Sequence, residues 1–166
     1  RGSAVALTTT VNLLFGSRVM SPSTGVLLND QMDDFATDPT APNAFGLVPS
    51  AANFIEPRKH PLSSMTPTIV LRPNTNEAWI SIGGSGGPTI PTAVFQVLVG
   101  LIDRKDALDK ALDIPRMHHQ LIPNRVVTEP GYSAAVIKAL EARNHTGDTM
   151  TGMLADGQRL CGAQNP

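Results

Sequence analysis

The distribution of apolar residues in the first half of the chain predicts strands. Residues 4–12, AVALTTTVN, are small, β-branched and rich in threonine, a composition that favours a buried strand. Further along, the apolar segments 66–72 and 78–84 flank PNTN, whose residues are typical of a turn. We therefore predict an antiparallel hairpin from these two segments.

Two later segments have the spacing of amphipathic helices. They are residues 91–104 and 133–143, and in each the apolar residues recur every three or four positions. These residues are Val94, Val97, Leu98 and Leu101 in the first segment, and Val136, Ile137 and Leu140 in the second. Ser133 stands where an N-cap is expected for the second helix.

The remaining segments complete an α+β pattern. Residues 36–61 are rich in proline and lack periodicity, which predicts a long ordered loop of the kind that often carries function. Residues 151–163 read as a second hairpin that turns at Asp156 and Gly157. Strands followed by helices and then by strands again indicate a layered α+β domain.

Composition and charge narrow the function classes. The chain has 166 residues, 41% of them hydrophobic, and a formal net charge of −1, which is typical of one packed domain. Its basic residues are scattered, so no nucleic-acid-binding face is predicted. No apolar run approaches the length of a membrane span. A single cysteine, Cys161, cannot form an internal disulfide, and we expect an inert core thiol.

Two segments could carry polar chemistry near strand ends. GGSGGP, residues 83–88, follows a predicted strand and precedes a predicted helix, so two adjacent N–H groups could point at one oxygen. Taken alone, such a turn is more often a tight connection, and it lacks the pattern of a P-loop. PLSSM, residues 61–65, places two hydroxyls before a strand, which is also common in ordinary turns.

Acids and histidines form two further clusters. LLNDQMDDF, residues 27–35, mixes acids and amides with large apolar side chains, so a fully solvated turn is unattractive and a built pocket is the alternative. In MHHQ, residues 117–120, the paired histidines lack a third ligand at metal-site spacing. A structural pair, His118 and His119, held by hydrogen bonds to backbone is therefore favoured, and no metal site is predicted.

The order of these segments is more specific than any one of them. Together they resemble the small, C-terminal subunit of the γ-glutamyltransferases (γ-glutamyl transpeptidases), over essentially the whole chain. The segments that carry the resemblance are TTTVN, FGS, SPSTGVLLNDQMDDF, ANFIEP, PLSSMTPTIV, GGSGG and PRMHHQLIPN.

The resemblance implies the αββα sandwich of the N-terminal-nucleophile hydrolases, shared with a large subunit cut from the same precursor. Residues 1–166 are then expected to be a single domain, the small subunit of an autoprocessed heterodimer. The nucleophile implied by the resemblance is a threonine that precedes residue 1, with its own α-amine as base. A C-terminal tail is expected beyond the end of the chain.

The resemblance also implies site residues in the first third of the chain. Thr10 matches the threonine that orients the nucleophile. Asn12, Gln31 and Asp34 match the residues that bind the α-amino group and backbone of the donor, and a carboxylate facing an ammonium is a charge-assisted pairing.

Further residues match other parts of the same donor site. Ser63 and Ser64 correspond to the pair that binds the donor's α-carboxylate, assisted by an arginine of the large subunit. Gly86 and Gly87 correspond to the two residues whose N–H groups form the oxyanion hole. Residues 39–50 resemble a lid, in which Phe45 replaces the tyrosine of several relatives and cannot donate a hydrogen bond to Asn12.

The implied activity is γ-glutamyl transfer or hydrolysis on glutathione or another γ-glutamyl donor, with water, an amino acid or a dipeptide as acceptor and no cofactor. A periplasmic or extracellular location is expected from the family. The alternatives are a related acylase of the same fold, similar to cephalosporin acylase, and a catalytically inactive relative.

Overall fold

The computed structural model describes residues 2–145 and 147–149. These residues fall into two compact units: residues 2–8 with 64–145 and 147–149 in the first, and Thr9–Ser63 in the second. The predicted hairpin over 151–163 and Cys161 lie outside the described residues. The assignment of residues 1–166 to a single domain stays a prediction.

The predicted hairpin of the first unit is confirmed. Strand β1, Thr68–Leu71, pairs antiparallel with strand β2, Ala78–Ile82, so that Thr68 lies opposite Ile82. The turn between them is closed by the Arg72 N–H, which donates to the Glu77 carbonyl at 2.9 Å. Arg72 also lies over the ring of Trp79, at 5.2 Å from the ring centroid.

The first predicted helix is also confirmed and supplies the core of this unit. Helix α1, Ile90–Ile102, buries one face, formed by Ile90, Ala93, Val94, Val97 and Gly100. Ile82 of β2 and Leu98 pack against the part of this face formed by Ile90, Ala93 and Val94. The glycine-rich segment 83–88 joins the hairpin to the helix, so α1 fixes the position of one end of this segment.

Two more helices follow in the first unit. Helix α2, Leu108–Asp113, was not predicted, because six residues contain too few turns for a periodic pattern, and it buries only Ala111. Helix α3, Ala134–Glu141, confirms the second predicted helix. Ser133 occupies its N-cap position, but the serine side chain makes no capping hydrogen bond.

A three-stranded sheet that was not predicted contains the first of the paired histidines, His118. Strand β3, Met117–His118, runs antiparallel to β4, Val126–Thr128, and β4 runs parallel to β5, Gly147–Thr149. Each strand is only two or three residues long, which is shorter than the alternation needed to recognise a strand from sequence.

A buried ion pair closes the ends of β3 and β4. The Arg116 guanidinium donates to Glu129 Oε1 at 3.1 Å, and the Arg116 N–H donates to Glu129 Oε2 at 2.8 Å. In return, the Glu129 N–H donates to the Arg116 carbonyl at 2.9 Å. Both side chains are almost completely buried, so each charge is neutralised where water cannot solvate it.

The strand predicted over residues 4–12 is wrong for this structure. Residues 2–11 belong to no helix or strand. Val5 and Leu7 are 79% and 81% exposed, although the composition suits a buried strand. A strand requires a partner with which to exchange main-chain hydrogen bonds, and the described residues supply none here; Ser81 Oγ donates to the Val5 carbonyl at 3.2 Å instead.

The second unit is built from turns and short 3-10 helices. These helices are Gln31–Asp34 and Ala51–Asn53, and isolated bridges join Met20 to Leu27 and Ala36 to Phe54. The long loop predicted over residues 36–61 is confirmed. With helices and strands in separate segments, the chain is α+β, as predicted. No helix within the described ranges has the length and apolar character needed to cross a bilayer.

Candidate active site

The 3-10 helix Gln31–Asp34 within LLNDQMDDF combines features of a solvated turn and of a sheltered polar site. Asn29 Oδ1 accepts from the Gln31 N–H at 3.0 Å and so starts the turn. Phe35, which ends it, is buried. Asp33 is exposed to solvent, whereas Asp34 is half-buried on the other side of the turn. The same short element therefore contains a solvated acid and a sheltered one.

Amide side chains hold the sheltered carboxylate of Asp34. Gln31 Nε2 donates to Asp34 Oδ2 at 2.8 Å, and Asn12 also hydrogen-bonds to this carboxylate. Partial burial raises the pKa of Asp34 above its ordinary value, and the nearby charges of Asp33 and Asp30 act in the same direction. The hydrogen bonds from Gln31 and Asn12 oppose this shift, because they stabilise the charged form.

The turn at residues 10–12 positions Asn12 for this contact. Asn12 has a positive φ of 76°, a conformation that asparagine tolerates better than most residues. Its N–H donates to Thr10 Oγ1 at 2.9 Å, and its side-chain amide donates to the Asp30 carbonyl at 3.4 Å. The structure thus brings Thr10, Asn12, Gln31 and Asp34 together. Such a set offers one carboxylate, an amide oxygen and a hydroxyl to a cationic polar ligand.

Asn53 is a further residue of this neighbourhood, and the sequence analysis did not identify it. Its Nδ2 donates to the Asp34 carbonyl at 2.8 Å, and its Oδ1 accepts from the Leu62 N–H at 2.9 Å. Asn53 therefore ties the acidic turn to the chain that leads into Ser63. Its position in ANFIEP was the available signal, but a link to a residue 19 positions away is not readable from sequence.

The predicted lid contains a closed turn. Asn43 Oδ1 accepts from the N–H groups of Phe45 and Leu47, at 3.0 Å each, and Gly46 adopts a positive φ of 71°. Phe45 is half-buried at the tip of this turn. The lid role of Phe45 stays a prediction.

The two predicted serines lie in different units. Ser63 is an exposed residue at the end of the second unit, whereas Ser64 is half-buried at the start of the second segment of the first unit. The hydroxyl of Thr66 donates to the Ser64 carbonyl at 2.9 Å. Their assignment to a carboxylate-binding pair stays a prediction.

Gly86 and Gly87 form the connection from β2 to α1 in the first unit. Their φ values are 137° and 57°, so both adopt backbone conformations that favour glycine. A 3-10 turn, Gly87–Thr89, follows and leads into α1. The turn is held by Thr89, whose N–H and hydroxyl both donate to the Gly86 carbonyl, at 3.3 and 2.8 Å. The oxyanion role of the two glycines stays a prediction.

The paired histidines are hydrogen-bonded, as predicted, but not in the way that was expected. Hydrogen bonds to backbone were predicted for both. His118 is buried and contacts side chains instead: Nδ1 lies 2.8 Å from Thr92 Oγ1, and Nε2 lies 2.8 Å from Gln120 Oε1. His119 Nδ1 does accept from a main-chain donor, the Leu121 N–H, at 3.1 Å. Within residues 2–145 and 147–149, no three metal-binding side chains converge.

A cavity of about 390 Å³ opens in the first unit, and its lining contains none of the predicted site residues. Arg116, Gln96 and Tyr132 are among the residues that line it. The Nε atom of Arg116 has no hydrogen-bond partner in the part of the chain that the structure describes. The polar chemistry predicted from sequence therefore lies elsewhere.

Comparison with solved structures defines the class of fold. The chain superposes with a TM-score of 0.84 on an acivicin-inhibited gamma-glutamyltranspeptidase, with 40% identity over 89% of this chain and 78% of that one. Cephalosporin acylase from Bacillus halodurans shares the fold, with a TM-score of 0.69 and 24% identity over 84% of this chain and 24% of that one. This is the α+β sandwich of the N-terminal-nucleophile hydrolases, as predicted.

Sequence comparison then gives the family. The gamma-glutamyltranspeptidase family model matches residues 1–161. The glutathione hydrolase proenzyme of Escherichia coli K12 is 40% identical over 172 aligned residues, which cover 99% of this chain and 29% of that protein. The chain therefore belongs to the gamma-glutamyltranspeptidase family, and it spans less than a third of the length of this relative.

Proposed function

We propose that the chain is the small subunit of a γ-glutamyltransferase that cleaves the γ-glutamyl amide bond of glutathione or related compounds. The observation that carries this proposal is the half-buried carboxylate of Asp34, held by amides of Gln31 and Asn12. A carboxylate with this shelter suits the α-ammonium group of a γ-glutamyl donor. The relatives named glutathione hydrolase proenzyme support the same substrate class.

Donor recognition divides the polar groups of glutamate among different residues. Asp34 binds the α-ammonium, and Asn12 and Gln31 keep that carboxylate oriented. Ser63 and Ser64 bind the α-carboxylate together with an arginine of the large subunit. This division explains why the acidic turn needs amide neighbours, because they donate to the carboxylate without competing for its charge.

The proposed reaction is acyl transfer in two steps. The oxygen of an N-terminal threonine, positioned by Thr10, attacks the γ-carbonyl and forms a tetrahedral intermediate. The N–H groups of Gly86 and Gly87 stabilise its oxyanion while the amine leaves. Water, an amino acid or a dipeptide then releases the γ-glutamyl group from the threonine. The reaction requires neither a metal nor an organic cofactor.

The proposed partner is a large subunit cut from the same precursor. Support comes from relatives named proenzymes and from a chain that covers only 29% of one of them but 78% of a solved chain. We also propose a periplasmic or extracellular location, which rests on the family alone.

Exchange of Asp34 tests the proposal. In the co-expressed heterodimer, Asp34→Asn removes the charge that faces the ammonium, and kcat/KM for a γ-glutamyl anilide should fall at least about 30-fold, since losing a buried charge-assisted pair costs about 2–5 kcal/mol. The matched control is Asp33→Asn, on the same turn but exposed, which should change kcat/KM little. Equal small effects of the two substitutions would rule out the assignment.

A related acylase is the second candidate, because cephalosporin acylase shares the fold. The two functions are separated by assaying one preparation with a γ-glutamyl anilide and with a glutaryl amide, which lacks the α-ammonium. Preference for the glutaryl compound would favour the acylase. Failure of an assembled heterodimer to cleave either substrate would indicate an inactive relative.

A further inference from the structure

The carbonyl of Gly86 is held more firmly than a turn of this length requires. Thr89 donates to it twice, from its N–H at 3.3 Å and from its hydroxyl at 2.8 Å. The N–H donation closes the 3-10 turn and would be available to any residue at this position except proline. The hydroxyl donation is specific to a side chain such as threonine or serine, so residue 89 adds an anchor that the turn itself does not supply.

Anchoring this carbonyl fixes the direction of a neighbouring N–H group. The Gly86 carbonyl and the Gly87 N–H belong to one peptide group, which is planar and points them in opposite directions. Glycine at both positions makes the peptide free to rotate, because both φ values lie in the region that glycine samples readily. The bonds from Thr89 remove that freedom and aim the Gly87 N–H away from α1.

Thr89 is in turn linked to the first turn of α1. The hydroxyl of Thr92 donates to the Thr89 carbonyl at 2.9 Å and lies 2.8 Å from Nδ1 of His118. Thr92 therefore connects the glycine turn to strand β3, which packs beside α1. Gln96, one turn further along, hydrogen-bonds to both the carbonyl and the N–H of Met117 and so holds β3 against the helix.

The imidazole of His118 is fixed from its far side. Gln120 Nε2 donates to the Ile122 carbonyl at 3.0 Å, so Gln120 Oε1 faces the ring and lies 2.8 Å from Nε2 of His118. His118 is buried, so water competes little for the bonds to its ring. Gln120, on the loop after β3, thus sets the orientation in which the His118 ring contacts Thr92.

We propose that Thr89, Thr92 and His118 are positioning residues that hold the Gly86–Gly87 peptide in the orientation needed to stabilise a tetrahedral intermediate. The inference rests on the proposed function of the two glycines. None of the three side chains needs to touch the substrate. Their contribution is preorganisation: an N–H that already points at the developing charge requires no rearrangement during the reaction.

Valine substitutions test the chain of contacts, because valine keeps the branched shape of threonine and removes the hydroxyl. In the co-expressed heterodimer, Thr89→Val should lower kcat for a γ-glutamyl anilide by about tenfold, less than the roughly 10²–10³-fold loss on removing an oxyanion donor outright. Thr92→Val should lower kcat in the same direction by a smaller factor. KM should stay within about twofold in both variants, because ground-state contacts to the donor are unchanged.

Conservative variants and a matched control separate positioning from general stability. Thr89→Ser and Thr92→Ser keep the hydroxyls and should restore most of kcat. Thr68 lies on β1, outside this chain of contacts, and its hydroxyl donates to the Thr66 carbonyl. Thr68→Val removes that hydroxyl and should leave kcat unchanged. The thermal midpoint of every variant is measured alongside its kinetics.

The outcomes distinguish this inference from the proposed function. If the wild-type heterodimer cleaves the anilide and Asp34→Asn impairs it, but Thr89→Val and Thr92→Val retain full kcat, the positioning role is wrong and the proposed function stands. Equal losses in the serine and valine variants would also overturn the positioning role. A wild-type heterodimer without γ-glutamyl activity would overturn the proposed function itself.

Discussion

Asp33 and Asp34 are adjacent and chemically identical, yet their surroundings give them different properties. The turn directs Asp33 to solvent and Asp34 towards Gln31 and Asn12. Burial raises the pKa of Asp34, and two hydrogen bonds oppose this shift. The folded state therefore holds the Asp34 proton more tightly than the unfolded chain does. This group consequently contributes less to stability as pH rises from the ordinary aspartate pKa through the raised pKa of Asp34.

The raised pKa of Asp34 predicts an acid limb in donor binding. The α-ammonium requires the charged carboxylate, so KM for the donor should rise as pH falls through the Asp34 pKa, at a higher pH than for an ordinary aspartate. Gln31→Leu removes a hydrogen bond that lowers this pKa, and the limb should move to higher pH. Asp33→Asn removes a charge that raises it, and the limb should move the other way. The measurement is KM against pH, and a limb that both variants leave in place would contradict the assignment.

At this scale the sequence indicated which residue types form the site but not which atoms meet. Gln31 and Asp34 are three positions apart on one turn, so their contact could be anticipated. The bonds from Asn53 to Asp34 and from Thr92 to His118 join residues 19 and 26 positions apart, and they depend on how the chain folds back. No local pattern contains that information.

At the scale of elements, length decided what could be predicted. The 13-residue helix α1 has more than three turns of periodic apolar residues, and it was predicted nearly in full. Helix α2 and strands β3 and β4 are too short to show a period. They form in tertiary contact, since α2 and β3 pack against α1 and β4 pairs with β3. For residues 4–12 the error is the reverse, since a strand was predicted and none is formed. They have the composition of a strand but no partner strand within the described residues.

Helix α1 should be the most sensitive element of the first unit to loss of side-chain volume. Val97 is 1% exposed, and Val97→Ala should destabilise the protein by about 2 kcal/mol through lost burial and the cavity left behind. The same exchange at Val136 on α3, which is 41% exposed, is the control and should change stability by less than about 0.5 kcal/mol. Thermal unfolding of the heterodimer measures both, and similar shifts would place the core elsewhere.

At the scale of the whole molecule, large apolar side chains remain at the surface. Leu14 and Phe15 are 82% and 73% exposed, in addition to Val5 and Leu7 near the start of the chain. Exposed apolar groups in such numbers indicate surfaces that a partner covers. This agrees with the proposal that a large subunit completes the molecule. Layers that a second chain completes cannot be read from the pattern of this chain, so the sandwich was predicted only from the family resemblance.

Residues near the start of the chain provide a test of that partner. Leu7→Asp places a charge on a side chain that is 81% exposed, so it should leave the first unit intact but weaken assembly with the large subunit. Ser3→Asp, on the same exposed segment, is the control for added charge alone. Size-exclusion chromatography of the co-expressed subunits measures the yield of heterodimer. Equal yields from the two variants would show that this segment lies outside the interface.

The reciprocal bonds between Arg116 and Glu129 close the base of the segment 117–128. Both ends of the segment 117–128 are fastened at one place, by two side-chain bonds and one main-chain bond. The tip of this segment, residues 121–125, is exposed and lies beyond the fastening. Insertions between Asn124 and Arg125, beyond the Ile122 carbonyl that holds Gln120, would therefore lengthen a closed loop without displacing α1 or α3, which makes this position suitable for attaching a label or a tether.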